Sequence, residues 1–191
     1  MIDWQNSMTH SIRTMLIIMM CCLTLAACDL SGGTDKAAEN VAPLVLTWDD
    51  LVPSDWTMDH LIEEYNTSDI SDDDPRAEEL MQRIVDFMND APVVEEFDGK
   101  RVRIPGFVVP LELTARHIQE FLLVPYFGAC IHSPPPPANQ TIYAVTPEDK
   151  AYQGRLYDTV WITGTMSIER TTNELGHSGY RIDVTEVAPY Q

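Results

Sequence analysis

The chain changes its apolar pattern four times. From Met15 to Ala27 it is almost continuously apolar. A small, polar stretch follows, DLSGGTDKAAENVAP (residues 29–43), with no apolar period. The apolar run is too short for a resident membrane helix, which needs about 20 apolar residues, and it has the layout of a secretory signal. Next comes LTWDDLVPSDW, anchored by Trp48, Leu51, Val52 and Trp56. The two tryptophans either pack this segment onto the domain or form an exposed recognition strip. Ala77, Leu80, Met81, Ile84, Val85 and Met88 then recur at three- and four-residue spacing, which predicts one helical stripe with its methionines as core filler. Asp74-Pro75 supplies a cap and a first-turn proline, and Asn89 to Pro92 ends the helix.

From Asp98 the period becomes two. Val102 and Ile104 alternate; after Pro105-Gly106, Phe107, Val109 and Leu111 take the opposite phase, which predicts a bulge that curls the strand. Thr114 caps a short helix running through Phe121. TIYAVT (141–146) is a short strand. Val160, Ile162, Gly164, Met166 and Ile168 make a long strand with a bend at Gly164, and Tyr180, Ile182 and Val184 form its hairpin partner after the loop ERTTNELGHSG. The expected class is α+β, mainly β with a helical N-terminal segment. One domain spans 44–191, with a helical lead-in over 48–90 and a small OB-like, partly open β-barrel over 98–188.

The apolar run ends in Leu25-Ala26-Ala27-Cys28, the pattern of a bacterial lipobox, so residues 1–27 read as a lipoprotein signal peptide. Cys28 is the lipidated residue and 28–43 a flexible tether. Met8 is an alternative start to Met1. Cys21 and Cys22 leave with the signal and Cys28 carries the lipid, so Cys130 is the one remaining thiol of four cysteines. No internal disulfide is then available, although the compartment permits them. Asp29 directly after Cys28 favours retention in the inner membrane, on its periplasmic face. The formal net charge is −18; the signal contributes one acid and one base, so the mature part keeps all of it. Such a surface repels phosphate backbones and anionic headgroups and argues against nucleic-acid binding; it is compatible with cations and basic partners, but solubility is the preferred reading of the charge. The acidic stretch SDISDDDPRAEE lacks the ligand ladder of a calcium loop and reads as a solvated turn.

The chemistry concentrates in GACIHSPPPPANQ (128–140). In an extended segment Cys130 and His132 point to the same face, about 6–7 Å apart, within reach of one ion. Zinc needs three or four donors, so His177, His117, His60 or an acid would complete a site. Alternatively Cys130 is a small buried residue and His132 a satisfied loop histidine. A nucleophilic thiol ranks last, since it needs a base hydrogen-bonded to sulfur and an oxyanion site, same-face neighbours are crowded for that and no glycine-rich elbow surrounds the cysteine; no catalytic residue is assigned. Pro134, Pro135, Pro136 and Pro137 favour a polyproline II rod.

The stretches WDDLVP, FDGKRVRIPGFVVPLE, FLLVPYFGACIHSPPPPANQTIY and VWITGTMSIE resemble, over about residues 46–188, a family of exported bacterial proteins of unknown function. Its members are periplasmic or lipid-anchored, and some are encoded beside ABC-type export systems thought to respond to zinc. The resemblance tilts Cys130 and His132 toward metal and adds Asn139 and Gln140 to the motif, as groups that satisfy loop carbonyls or orient a ligand. The expected function is a lipid-anchored periplasmic accessory protein, zinc-binding and serving envelope metal homeostasis or an ABC-type transporter subunit. The alternative is a protein-interaction module that uses the proline loop with Cys130 structural, and a thiol-dependent enzyme comes third.

Overall fold

The computed structural model describes residues 42–57, 59, 63, 70–71, 74–114, 116–132 and 135–190. The chain divides into two compact units, Met1–Val41 and Ala42–Gln191, and every described residue belongs to the second. The signal, Cys28, Asp29, most of the tether, His60 and Pro134 lie outside the described residues.

The class is α+β, mainly β with one long helix. Six strands form a single sheet: β1 (Leu44–Val45), β2 (Arg101–Pro110), β3 (Glu120–Val124), β4 (Ile142–Val145), β5 (Thr159–Asn173) and β6 (Gly176–Pro189). They are ordered β1-β2-β3-β4-β6-β5, and β5 also pairs with β2. Pairing is antiparallel except for β1–β2 and β4–β6. The main core gathers Val102, Ile104, Val108, Phe121, Leu123, Ile142, Val160, Ile162, Met166, Tyr180 and Ile182. On β5 and β6 these are the alternating positions expected from period two, because a half-buried strand turns every second side chain inward.

The expected bulge at Pro105-Gly106 is absent. β2 pairs with β5 in unbroken register from Arg101↔Thr165 to Phe107↔Thr159, and Gly106 and Val108 continue the inward phase of Val102 and Ile104. Phe107 and Val109 are apolar for another reason: they face a second cluster with Leu122, Val124, Ala129 and Tyr157. A strand covered on both sides shows no clean alternation, and here that mimics a phase slip. Register breaks instead fall in β5–β6, between Thr163 and Gly164 and between Ile168 and Thr171. Gly164 is therefore the bend as expected; a β-carbon there would strike the Asp183 carbonyl.

Two further expectations fail. No helix runs from Thr114 through Phe121: Ile118 bridges Tyr152, and Phe121 lies within β3, whose Phe121 to Val124 are all buried. The stretch 169–179 is not an open loop, since the ribbon continues to the pair Asn173↔Gly176 and turns over Glu174-Leu175.

The helix forms as the sequence predicts. α1 (Pro75–Asn89) starts at Asp74, whose carboxylate accepts from the Arg76 N–H at 2.9 Å. At its other end Arg170 donates to the carbonyls of Asn89, Asp90 and Ala91, groups a helix C-terminus leaves unpaired. Yet α1 buries none of its residues, and Met81 is 60% and Val85 41% exposed. Met81 is therefore surface-lying and Met88 half-buried, so neither is core filler. Both tryptophans of the lead-in pack. Trp48 donates to the Pro105 carbonyl at 2.8 Å, and Trp56 stacks on Phe87. Tyr180, fully buried, donates to the Leu51 carbonyl and accepts from the Val94 N–H, which ties the lead-in to the sheet.

Candidate functional site

The segment between β3 and β4 folds over the outer face of the sheet. Ala129 is buried against Val109, Leu122, Val124 and Tyr157, with Cys130, Ile131 and Leu175 packed beside them. Two residues set its path. Gly128 (φ +91°) and Cys130 (φ +67°) both take left-handed backbone, and the His132 N–H closes a turn on the Gly128 carbonyl at 2.8 Å. Glycine tolerates that region; for cysteine it costs roughly 1–2 kcal/mol, which the surrounding packing must offset. The motif is thus a tight turn. The extended geometry expected for Cys130 and His132 does not hold, and the same-face argument built on it falls.

Tyr157 fastens this turn. Its hydroxyl donates to the Ala129 carbonyl at 2.8 Å, while its own N–H donates to the Val108 carbonyl of β2. Burial pushes its pKa up, and the backbone N–H groups of Ile131 and His132 act on the same oxygen in the opposite direction. Tyr157 was not legible as part of the site, since LYD offers no motif; only the fold brings it under Ala129.

Cys130 is a free, half-buried thiol, and burial pushes its pKa up to about 11. A nucleophilic cysteine is activated in the opposite direction, by a positive neighbour or base that favours the thiolate. His132 is exposed, with its ring 6.1 Å from that of Tyr157.

The hairpin tip does reach this loop. Leu175 joins the Cys130 cluster, and a β-carbon on Gly176 would touch Pro135. His177 nevertheless spends its Nδ1 on the Thr172 hydroxyl at 3.1 Å, and His117 lies on the stretch leading into β3. Among the described residues no three of His, Cys, Asp or Glu converge to hold a metal. The described donors therefore fall short of the three or four that zinc requires.

The described prolines, 135 to 137, are seated rather than free. Pro136 is buried, Pro135 and Pro137 are half-buried, and Pro137 keeps polyproline II angles (φ −54°, ψ 153°). Asn139 is fully buried and its amide donates to the Pro92 carbonyl, which ties this turn to the segment after α1, while its Oδ1 has no partner among the described residues. Gln140 is half-buried at the end of the same short turn.

The residues that project are aromatic. Phe127 is 67% and Tyr126 42% exposed. Phe127 meets Phe107 edge-on at 6.2 Å and Tyr157 at 4.7 Å. Exposed aromatics braced in this way are the composition of a recognition edge. PYFG preceded the motif in the sequence, but apolar residues in that position equally predict core.

Fold and site together define a mainly β, α+β domain with a constrained Cys-x-His turn and a projecting aromatic edge. The chain belongs to the family described as Protein of unknown function (DUF3299), whose model matches residues 48–189. It is similar to the crystal structure of a DUF3299 family protein from Pseudomonas aeruginosa PAO1, at 36% identity, with 79% of this chain and 98% of that chain covered and a TM-score of 0.59. No curated protein matches.

Proposed function

We propose that the chain is a non-enzymatic accessory factor, lipid-anchored at Cys28 on the periplasmic face of the inner membrane, that docks an envelope partner through the Tyr126–Phe127 edge. An OB-like reading of the sheet supports this. In its favour, the pairings β2–β3–β4–β6–β5 return to β2 and β4 runs parallel to β6, an order that a small Greek-key barrel with an outer binding face would have. The carrying observation is Phe127, two-thirds exposed yet held against two other rings. A ring fixed before binding loses little conformational entropy when a partner covers it. Photo-cross-linking from position 127 is the test.

A second reading keeps zinc at Cys130 and His132, favoured by their sharing one closed turn, with the missing donors supplied by the partner. Elemental analysis of wild type beside Cys130→Ser decides it. About one zinc per chain, lost in the variant, supports this reading; equal content in both removes it.

A further inference from the structure

We propose that an open groove between α1 and the lead-in receives a lysine side chain from a partner protein. This inference rests on no part of the aromatic-edge reading. The groove has a volume of about 320 Å³ and is lined by Trp56, Arg83, Asp86, Phe87, Asp90 and Pro92. Its apolar part is the Trp56–Phe87 stack, with centroids 5.0 Å apart and planes within 7°.

Its charge is unbalanced. Asp86 and Asp90 stand one turn apart at the C-terminal end of α1, where the last turn carries no base. The helix dipole is negative there, and two carboxylates four residues apart repel. Among the described residues the Asp86 carboxylate accepts only from the Gln82 amide at 2.9 Å, the Asp90 carboxylate has no partner, and Arg83 pairs with neither. Arg170 reaches the terminal carbonyls alone. Arg170 thus serves the carbonyls, and among the described residues no cation pairs with the Asp86 and Asp90 carboxylates.

A lysine fits both halves. Its ammonium lies between the carboxylates while its aliphatic stem covers the aromatic stack. The groove is open to solvent, whereas sites for free small molecules enclose most of the ligand; a side chain presented from outside suits it better. The net charge of −18 steers a basic partner toward this surface.

The test uses the full chain in detergent, labelled with 5-fluorotryptophan, with the Trp56 signal assigned by its loss in Trp56→Phe. Acetyl-Ala-Lys-Ala-amide should shift that signal saturably, and Asp90→Asn should weaken binding by about threefold or more. Asp90→Asn relieves a charge opposed to the dipole, so the variant should fold. No saturation, an equal response to the norleucine peptide, unchanged binding in Asp90→Asn, or n-butylamine binding as tightly as the peptide would each overturn the proposal.

Discussion

The Tyr157 hydroxyl donates a 2.8 Å hydrogen bond to the Ala129 carbonyl, and through it β2 holds the Cys-x-His turn. Both residues are buried, so this bond is formed away from water and its loss leaves a carbonyl without a partner. Tyr157 takes a left-handed conformation (φ +64°) to make it, as Cys130 does one residue beyond Ala129. Two strained residues facing each other indicate a turn held for its shape.

Tyr157→Phe should therefore cost about 1–3 kcal/mol, the usual penalty for orphaning a buried acceptor. It should also speed labelling of Cys130 by a thiol reagent, because the turn loosens around the sulfur. Chemical denaturation and labelling kinetics check both; unchanged values would show that Ala129 is held by packing alone.

The Cys130 thiol gives a pH dependence with a definite sign. Its folded pKa of about 11 lies above the ordinary value of 9.0, because burial disfavours the thiolate. The fold thus keeps this contribution fully below pH 9 and loses it as pH rises through 11. Thiolate absorbance should stay low until above pH 10, and Cys130→Ser should flatten the alkaline fall in stability. A thiolate titrating near pH 7 would instead restore the reactive-cysteine reading.

Tyr180→Phe removes the donor to Leu51 and the acceptor for Val94. We expect a loss of about 2 kcal/mol in urea denaturation, since two buried backbone groups lose their partner while the ring still fills its site. A change below about 0.5 kcal/mol would show that the lead-in contributes little to folding.

Much of the sheet was legible because only one face of β5 and β6 is fully buried, so Val160, Ile162, Met166, Ile182 and Val184 alternate visibly. Legibility failed where a second layer covers the outer face. Phe107 and Val109 read as a phase slip because a loop distant from β2 in sequence covers them, and the helix expected from Thr114 through Phe121 ran into β3, where Phe121 and Leu123 face the main core and Leu122 and Val124 the second cluster. The start of α1 was written in Asp74-Pro75, but its exposure was not, since an amphipathic stripe does not reveal how much of it is covered. The motif residues were found; their geometry was not. Nothing local in GACIH announces a left-handed Cys130, and the partner that holds the turn, Tyr157, lies 28 positions past Ala129.

The most direct test of the docking account is photo-cross-linking in intact cell envelopes, with p-benzoylphenylalanine in place of Phe127 and, as control, of the exposed Glu148. The account predicts one discrete adduct from position 127 and none from position 148. The 127 adduct should be competed by excess unlabelled wild type but not by Tyr126→Ala/Phe127→Ala protein of unchanged thermal midpoint. No adduct specific to position 127, or full competition by the double variant, would contradict it.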